Sequence, residues 1–257
     1  MGLHDFHLPL TALDQINQPP LWFLQVQDAM TITFTLSWTT AYILYVRQAF
    51  KDKSYGVPLL TLWLNTAWEI MFGIVCAGST GLIFVAGPWV LLEIALIYAT
   101  IKYGSIEWRH SPLVANNLWW MIPAAQPVAC GFYYALMQSF NKEKPQDSII
   151  MSALANQVFT SIGAVLHLIS KGNTKGHSVG IWFWRTNGTF WTVMCHYWQM
   201  THYPQDHYFN FSPIVQYGMW IFEACDFVIY PIVYYYVSQR EREAEKQAAG
   251  QKPKRLR

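Results

Sequence analysis

Apolar stretches of about 20 residues recur along most of this chain, and that is the length a helix needs to cross a lipid bilayer. Hydrophobic residues make up 53% of the 257 residues and charged residues only 12%, which leaves no room for a soluble domain. The stretches are continuous and not alternating, so they predict helices, which satisfy their own backbone hydrogen bonds. We therefore expect an all-α integral membrane bundle of about seven transmembrane helices, near residues 27–46, 57–77, 82–101, 113–136, 149–169, 179–200 and 213–237.

This pattern predicts a single transmembrane domain over residues 1–257, with a short polar segment at 1–25 and a basic tail at 238–257. Cytoplasmic segments of membrane proteins are enriched in lysine and arginine. The basic residues fall mainly on one side of the predicted bundle, which places the N-terminus in the lumen and the C-terminus in the cytosol. Those on the cytosolic side are Arg47, Lys51, Lys53, Lys102, Arg109, Lys171, Lys175, Arg185 and the tail, against Lys142 and Lys144 on the other. The basic tail favours contact with anionic membrane lipids over contact with nucleic acid. No basic segment leads into an apolar run near the N-terminus, so no cleaved signal peptide is expected.

Four carboxylates, Glu69, Glu93, Glu223 and Asp226, lie inside predicted spans that contain no lysine or arginine. An ionisable side chain at bilayer depth costs at least ~2.5 kcal/mol, so such residues indicate a functional site. Glu223 and Asp226 are three residues apart, which would put them on one helix face. Desolvation and mutual repulsion favour the neutral carboxyl, so we expect at least one member of the group to keep its proton and act as a general acid.

Aromatic residues lie in the same spans as these acids and in the fourth predicted span. Ring faces attract positive charge and offer no strong nucleophile, so an aromatic pocket beside a buried acid is typical of carbocation chemistry. Aromatic residues near a membrane edge are instead expected to be interfacial anchors. The residues concerned are Trp63, Trp68, Trp89, Tyr98, Trp119, Trp120, Trp220, Phe222, Phe227 and Tyr230.

Several short motifs resemble, in their order, those of the membrane-integral terpene cyclases of fungal meroterpenoid and indole-diterpene biosynthesis. Asn65-Thr-Ala-Trp68-Glu69 resembles the Asn-x-x-Trp-Glu element of that family. The resemblance extends from about residue 30 to residue 237, and no motif carries it alone. The further motifs are Glu107-Trp108, Ser111-Pro-Leu-Val114, Asn117, Lys171-Gly-Asn-Thr174-Lys-Gly176-His-Ser178, Trp184-Arg185 with Gly188, Ser212-Pro-Ile-Val215, Asp226 and Tyr230-Pro231.

The resemblance implies a class II cyclase in the endoplasmic reticulum membrane, an isomerase that protonates the terminal epoxide of a prenyl chain, farnesyl being expected, on a polyketide or aromatic core. Its acid pair maps onto Glu69 and Asp226. Soluble terpene cyclases carry an Asp-Asp-x-x-Asp metal-binding motif or an Asp-x-Asp-Asp acid motif, and the chain has neither. Neither a metal ion nor a cofactor is therefore expected. Further residues are expected to bind substrate or stabilise the cation: Asn65, Trp63, Trp68, Glu93, Arg185, Trp220, Glu223 and Tyr230.

Some of these roles remain open at the level of sequence. Asn65 and Tyr230 are expected to orient the acids. The roles of Glu93 and Glu223 are inferred only from their depth in the membrane. Arg185 could hold a polar substrate group or one of the acids, or it could extend to the interface. The main alternative function is a seven-helix proton-coupled transporter or receptor that uses the buried carboxylates. Two features argue against this alternative. The last predicted span has no lysine for a retinal Schiff base, and no pair of broken helices indicates the two half-repeats of a transporter.

Overall fold

The computed structural model of the protein describes residues 6–75, 80–140, 145–206 and 211–250, and every regular element within these ranges is a helix. The all-α prediction is therefore confirmed for the described residues. The α-helices are α1 (Ala12–Asn17), α2 (Leu21–Asp52), α3 (Leu59–Ile70), α4 (Thr80–Glu107), α5 (Pro112–Ala115), α6 (Leu118–Gln138), α7 (Pro145–Lys171), α8 (Val179–His202), α9 (Pro213–Ala224) and α10 (Tyr230–Gly250).

Each predicted span overlaps one of these helices, but the bounds differ. Helix α2 is much longer than the predicted 27–46 and ends where Lys53 adopts a left-handed conformation. The predicted span 113–136 is wrong at its start, because a turn at Asn116 and Asn117 separates α5 from α6. Short asparagine side chains favour such turns, since they bond to nearby backbone groups.

Among the described residues, Ala86–His110 and Asp147–Lys171 are long and apolar enough to cross a bilayer, and Leu59–Val75 is apolar but shorter. The count of seven spans and the lumenal position of the N-terminus stay predictions. Large apolar side chains also point outward, as with Val128, which is 74% exposed. Apolar residues on the outer surface suit contact with lipid tails.

Two helices contain π-helical segments in place of the continuous α-helix that the sequence predicts. Helix α3 runs directly into a π segment at Met71–Val75, and Cys225–Ile229 forms a π segment that joins α9 to α10. A π turn inserts an extra residue and is found frequently at functional sites. The first segment begins two residues after Glu69 and the second contains Asp226, so both predicted acids lie at these irregularities.

The helices pack into one bundle in which α2 lies against α8 and α4, α3 against α4, α6 and α7, and α7 against α9 and α10. Its central apolar cluster consists of Tyr42, Tyr45, Leu62, Trp89, Leu96 and Ile181. Close approach of α2 and α8 depends on Gly188, because a Cβ there would lie 2.6 Å from the Trp38 ring.

Gly176 lets the segment after α7 lie directly against the segment after α2. A Cβ on Gly176 would lie 2.5 Å from the backbone carbonyl of Tyr55, and Gly176 has a φ of +82°. Its N–H donates to Asp52 at 2.9 Å. Gly172 in the same segment has a φ of +61°, but a Cβ there would meet nothing within 4 Å.

We predict that Gly176→Ala lowers the melting temperature of the detergent-solubilised protein more than Gly172→Ala does. Both alanines pay roughly 1–2 kcal/mol for a left-handed backbone. Only the alanine at 176 also collides with backbone, which adds about 1–3 kcal/mol. Equal losses in the two variants would contradict the close approach described above.

Candidate active site

The first polar cluster surrounds Glu69, which lies near the end of α3 and is 1% exposed. Tyr42 on α2 donates its hydroxyl proton to Glu69 Oε1 at 2.5 Å, and Asn65 Nδ2, one turn earlier on α3, donates to the same oxygen at 3.1 Å. Glu69 Oε2 is buried and has no hydrogen-bond partner within the described part of the chain. Glu69 is therefore anchored by one oxygen only.

Glu93 on α4 belongs to the same cluster and is also 1% exposed. Its Oε1 accepts from Asn65 Nδ2 at 2.7 Å and its Oε2 from the Thr66 hydroxyl at 3.0 Å. Asn65 is fixed in turn by Asn156 on α7, which donates to Asn65 Oδ1 at 2.7 Å. Two carboxyl groups from different helices thus share one amide donor. We call Tyr42, Asn65, Thr66, Glu69 and Glu93 the acid cluster.

No lysine or arginine among the described residues forms an ion pair with Glu69 or Glu93. Two carboxylates that approach the same donor repel each other, and burial penalises each charge. The arrangement is therefore most stable when the pair of carboxyls holds a proton.

The second polar cluster is an ion pair between α8 and the π segment that precedes α10. Arg185 Nη2 lies 2.7 Å from Asp226 Oδ1, and both side chains are 1% exposed. Ser161 donates to Asp226 Oδ2 at 2.9 Å, and Gln157 donates to the same atom at 3.3 Å. The guanidinium lies over the Tyr230 ring, 4.9 Å from its centroid. Arginine keeps its charge in proteins, so its guanidinium favours the ionised form of Asp226. We call these five residues the ion-pair cluster.

A cavity separates the two clusters. Glu93 and Asn65 line it from the acid cluster, and Arg185 lines it from the ion-pair cluster. Its volume of about 30 Å³ has room for one or two water molecules. The other lining residues are Trp38, Tyr42, Tyr45, Val57, Pro58, Thr61, Thr160 and Ala164.

The structure places the predicted acid pair, Glu69 and Asp226, in different clusters. It overturns the prediction that Glu223 and Asp226 form a close pair. The π segment begins at Cys225 and alters the register of the helix, so Asp226 turns inward to Arg185 while Glu223 stays half-buried. Glu223 makes no hydrogen bond or ion pair with any residue that the structure describes. The acids that share a site are Glu69 and Glu93.

Several of the predicted aromatic residues lie away from this cavity. Trp68 donates its indole N–H to Ser152 at 3.0 Å and packs against Phe72, away from the cavity. Trp63 is likewise absent from the cavity lining, and Trp220 is 56% exposed. An indole on the outer face suits contact with lipid.

The cavity takes its aromatic side chains from α2 instead. Trp38, Tyr42 and Tyr45 lie four and three residues apart and so share one face of that helix. This spacing was visible in the sequence. Helix α2 carries no acid near its middle that would mark these residues as part of a site.

The structure decides between the alternatives for Arg185. It does not extend to the interface, because it is 1% exposed, and it binds an acid, Asp226. Tyr230 contacts Arg185 through its ring; none of the carboxyls bonds to its hydroxyl among the described residues. Asn65 does contact two acids, Glu69 and Glu93.

Two buried histidines, which the sequence reading did not single out, hold Tyr230 in place. The Tyr230 hydroxyl lies 3.1 Å from His177 Nδ1, and His177 Nε2 lies 3.2 Å from His167 Nδ1. Burial, reinforced by His167, Lys171 and Arg185, holds the pKa of His177 well below its ordinary value, so its ring is neutral. The glycine-rich motif that contains His177 thus supports the ring that covers Arg185. Among the described residues no three His, Cys, Asp or Glu side chains converge as metal ligands.

The same end of the bundle brings two of the sequence motifs together. Lys171 Nζ forms a salt bridge with Glu107 at 2.9 Å and donates to the backbone oxygens of Tyr55 and Lys175. Trp108 donates its indole N–H to the Tyr55 hydroxyl at 2.6 Å. The motifs Glu107-Trp108 and Lys171 to Ser178 therefore contact each other and close this end of the bundle.

We predict that Asp226→Asn destabilises the protein by about 3–5 kcal/mol, because it leaves the Arg185 charge buried without a partner. The double variant Arg185→Gln/Asp226→Asn removes both charges and should recover most of that loss. Thermal unfolding in detergent measures both effects, with Glu223→Gln as the control for removal of an intramembrane acid. A double variant no more stable than the single one would contradict the buried ion pair.

The sequence profile of the Pyr4-like transmembrane terpene cyclases matches residues 13–240 of the chain. The Pyr4-family terpene cyclase mfmH of Annulohypoxylon moriforme is 36% identical over 239 residues, which cover 93% of this chain and 98% of that protein. Terpene cyclase macJ of Penicillium terrestre is 30% identical over 234 residues, 90% of each chain. Asnovolin H synthase nvfL of Aspergillus novofumigatus is 29% identical over 221 residues, which cover 86% of this chain and 89% of that protein. No solved structure matches the chain significantly.

Proposed function

The chain belongs to the Pyr4-like transmembrane terpene cyclases, and from this membership we propose that it cyclises an epoxyprenyl meroterpenoid precursor in the endoplasmic reticulum membrane. It is a membrane enzyme of fungal secondary metabolism that acts on a terpenoid substrate. The proposed substrate is a prenyl chain, farnesyl in the simplest case, that carries a terminal epoxide and is attached to a polyketide or aromatic core. Membership of a cyclase family decides against the transporter or receptor alternative.

One observation carries the proposal: a cavity lies between a buried pair of carboxyls, which have no ion-pair partner among the described residues, and a buried ion pair, whose Arg185 lines the cavity. Opening an epoxide requires an acid that still holds its proton at neutral pH. Glu69 belongs to the uncharged side and Asp226 to the charged side. We therefore assign proton donation to the acid cluster, and we assign Asp226 the role of an anion that lies behind Arg185, which lines the cavity where the cation develops.

The proposed reaction begins when a carboxyl of the acid cluster transfers its proton to the epoxide oxygen. The bond between that oxygen and the more substituted carbon breaks, which leaves a hydroxyl group and a tertiary carbocation. Double bonds along the chain attack in turn, and loss of a proton from carbon ends the sequence. The product is an isomer of the substrate, so no cofactor is consumed.

Three aromatic side chains from α2 are suited to stabilise the positive charge as it moves. Trp38, Tyr42 and Tyr45 line the cavity with ring faces that attract cations. A carboxylate alone would capture the cation covalently if it came too close. The Asp226 oxygens are already occupied by Arg185, Ser161 and Gln157, which reduces their nucleophilicity.

The cavity is much smaller than the prenyl chain that it must receive. Its volume of about 30 Å³ compares with roughly 300–1,000 Å³ for typical ligand pockets. The substrate therefore needs neighbouring helices to move apart. We propose that the π segments at Met71–Val75 and Cys225–Ile229 take part, because π turns are frequent at functional sites and each segment adjoins or contains an acid.

We predict that membranes containing the protein convert an epoxyfarnesylated polyketide ester into a product of unchanged mass, detected by mass spectrometry and NMR. Glu69→Gln should lower product formation by about 10²–10⁴-fold, the usual contribution of a general acid. Asp226→Asn and the more stable Arg185→Gln/Asp226→Asn variant should both lose activity, since each lacks the anion.

The matched control is Glu223→Gln, which removes an intramembrane acid outside both clusters and should retain wild-type activity. Cyclisation that survives in folded Glu69→Gln and Asp226→Asn would contradict the assigned acids. Failure of the wild-type protein to convert a panel of epoxyprenyl substrates would contradict the epoxide chemistry itself.

A further inference from the structure

We propose that Glu93 is the residue that hands the proton to the substrate, and that it shares this proton with Glu69 as a carboxyl pair. The inference rests on the proposed epoxide-opening function and assigns a third acid to it. Glu93 lies outside the Asn65-Thr-Ala-Trp68-Glu69 motif, on a different helix, so the motif alone gives it no role.

The positions of the two carboxyls are the first observation. Oε1 of Glu93 and Oε1 of Glu69 lie 2.7 Å and 3.1 Å from the same nitrogen, Asn65 Nδ2, and both side chains are 1% exposed. Their neighbours are neutral hydroxyl and amide groups. Two negative charges at such a separation in an apolar interior repel strongly, so the pair keeps one proton between its two members.

Access to the cavity is the second observation. Glu93 lines the cavity together with Asn65 and Arg185, and Glu69 does not. Tyr42 and Asn65, which do line the cavity, both donate to Glu69 Oε1. An epoxide that occupies the cavity therefore meets the Glu93 carboxyl before it can reach Glu69.

Orientation is the third observation. Thr66 and Asn65 each hold one oxygen of Glu93, at 3.0 Å and 2.7 Å, so the carboxyl is fixed at the wall of the cavity. Glu69 Oε2, by contrast, has no partner within the described residues and is suited to carry the proton while Glu93 is ionised. The two residues then have different tasks: Glu69 stores the proton and Glu93 delivers it.

The proton balance closes without another reactant. The neutral Glu93 carboxyl gives its proton to the epoxide oxygen as the carbon–oxygen bond breaks, and both members of the pair are then carboxylates. Their combined negative charge faces the new carbocation across the cavity. When the sequence ends, the proton that leaves carbon returns to the pair, so the enzyme regains its starting state.

Two substitutions at position 93 separate this role from a structural one. Glu93→Gln keeps the length of the side chain and one oxygen that can accept from Asn65 or Thr66, but it has no acidic proton to donate. Glu93→Asp keeps an acidic proton but shortens the reach. A catalytic Glu93 predicts at least a 100-fold loss of cyclised product for Glu93→Gln and a smaller loss for Glu93→Asp. If Glu93 has only a structural role, Glu93→Asp should lose more cyclised product than Glu93→Gln does.

The assay uses the full chain in membranes with the epoxyfarnesylated polyketide ester, and Glu223→Gln is again the control with an intact site. Activity of Glu93→Gln equal to or above that of Glu93→Asp would overturn the inference while the wild-type activity upholds the proposed function. A wild-type protein without activity would instead overturn the proposed function, and the role of Glu93 with it.

If Glu93→Gln does not fold, the pH dependence of Glu93→Asp decides. Aspartate is the stronger acid, so the pH above which the rate falls should move downward relative to the wild type when residue 93 delivers the proton. A falling limb at the wild-type position, in a folded Glu93→Asp protein, would overturn the inference.

Discussion

The buried ion pair between Arg185 and Asp226 is the interaction on which the rest of this site depends. A lone charge at that depth would be far more costly than the pair, and each partner comes from a different helix, so the pair fixes how α8 meets the helix that leads into α10. The ion pair also determines which of the buried acids has a cation as its partner. The only cation at the cavity is committed to Asp226, and Glu69 and Glu93 therefore remain without one among the described residues. A neutral acid then lines one side of this small space, and Arg185, with the anion of Asp226 behind it, lines the other.

The ion pair has its own support at one end of the bundle. The Tyr230 ring covers the guanidinium, the neutral His177 holds the Tyr230 hydroxyl, and the segment around His177 is closed by Lys171 and Glu107. Gly176 permits this segment to touch the backbone after α2. Motifs that are far apart in the sequence therefore serve one purpose, which is to keep a charged side chain in place inside an apolar bundle.

Much of the fold could be predicted from the sequence, because apolar length determines where membrane helices lie. Asn65 could be placed beside Glu69 for a similar reason, since residues four apart on a helix are neighbours. Contacts between helices could not be predicted in this way. Glu93 on α4 and Glu69 on α3 accept from the same amide although they lie on different helices. Asp226 and Glu223 lie apart because a π turn interrupts the helical period between them. Periodicity describes one helix at a time, so three of the four acids are buried as expected, whereas the pairing of Glu223 with Asp226 was wrong.

The central claim is that the acid cluster holds a proton in the resting enzyme and that Asp226 does not. Infrared spectroscopy of the purified protein at neutral pH tests this directly, because the carbonyl stretch of a protonated carboxyl is separate from the bands of a carboxylate. We predict that the protonated-carboxyl band weakens in Glu69→Gln/Glu93→Gln and stays unchanged in Arg185→Gln/Asp226→Asn. A band that persists in the first double variant and is lost in the second would contradict the account.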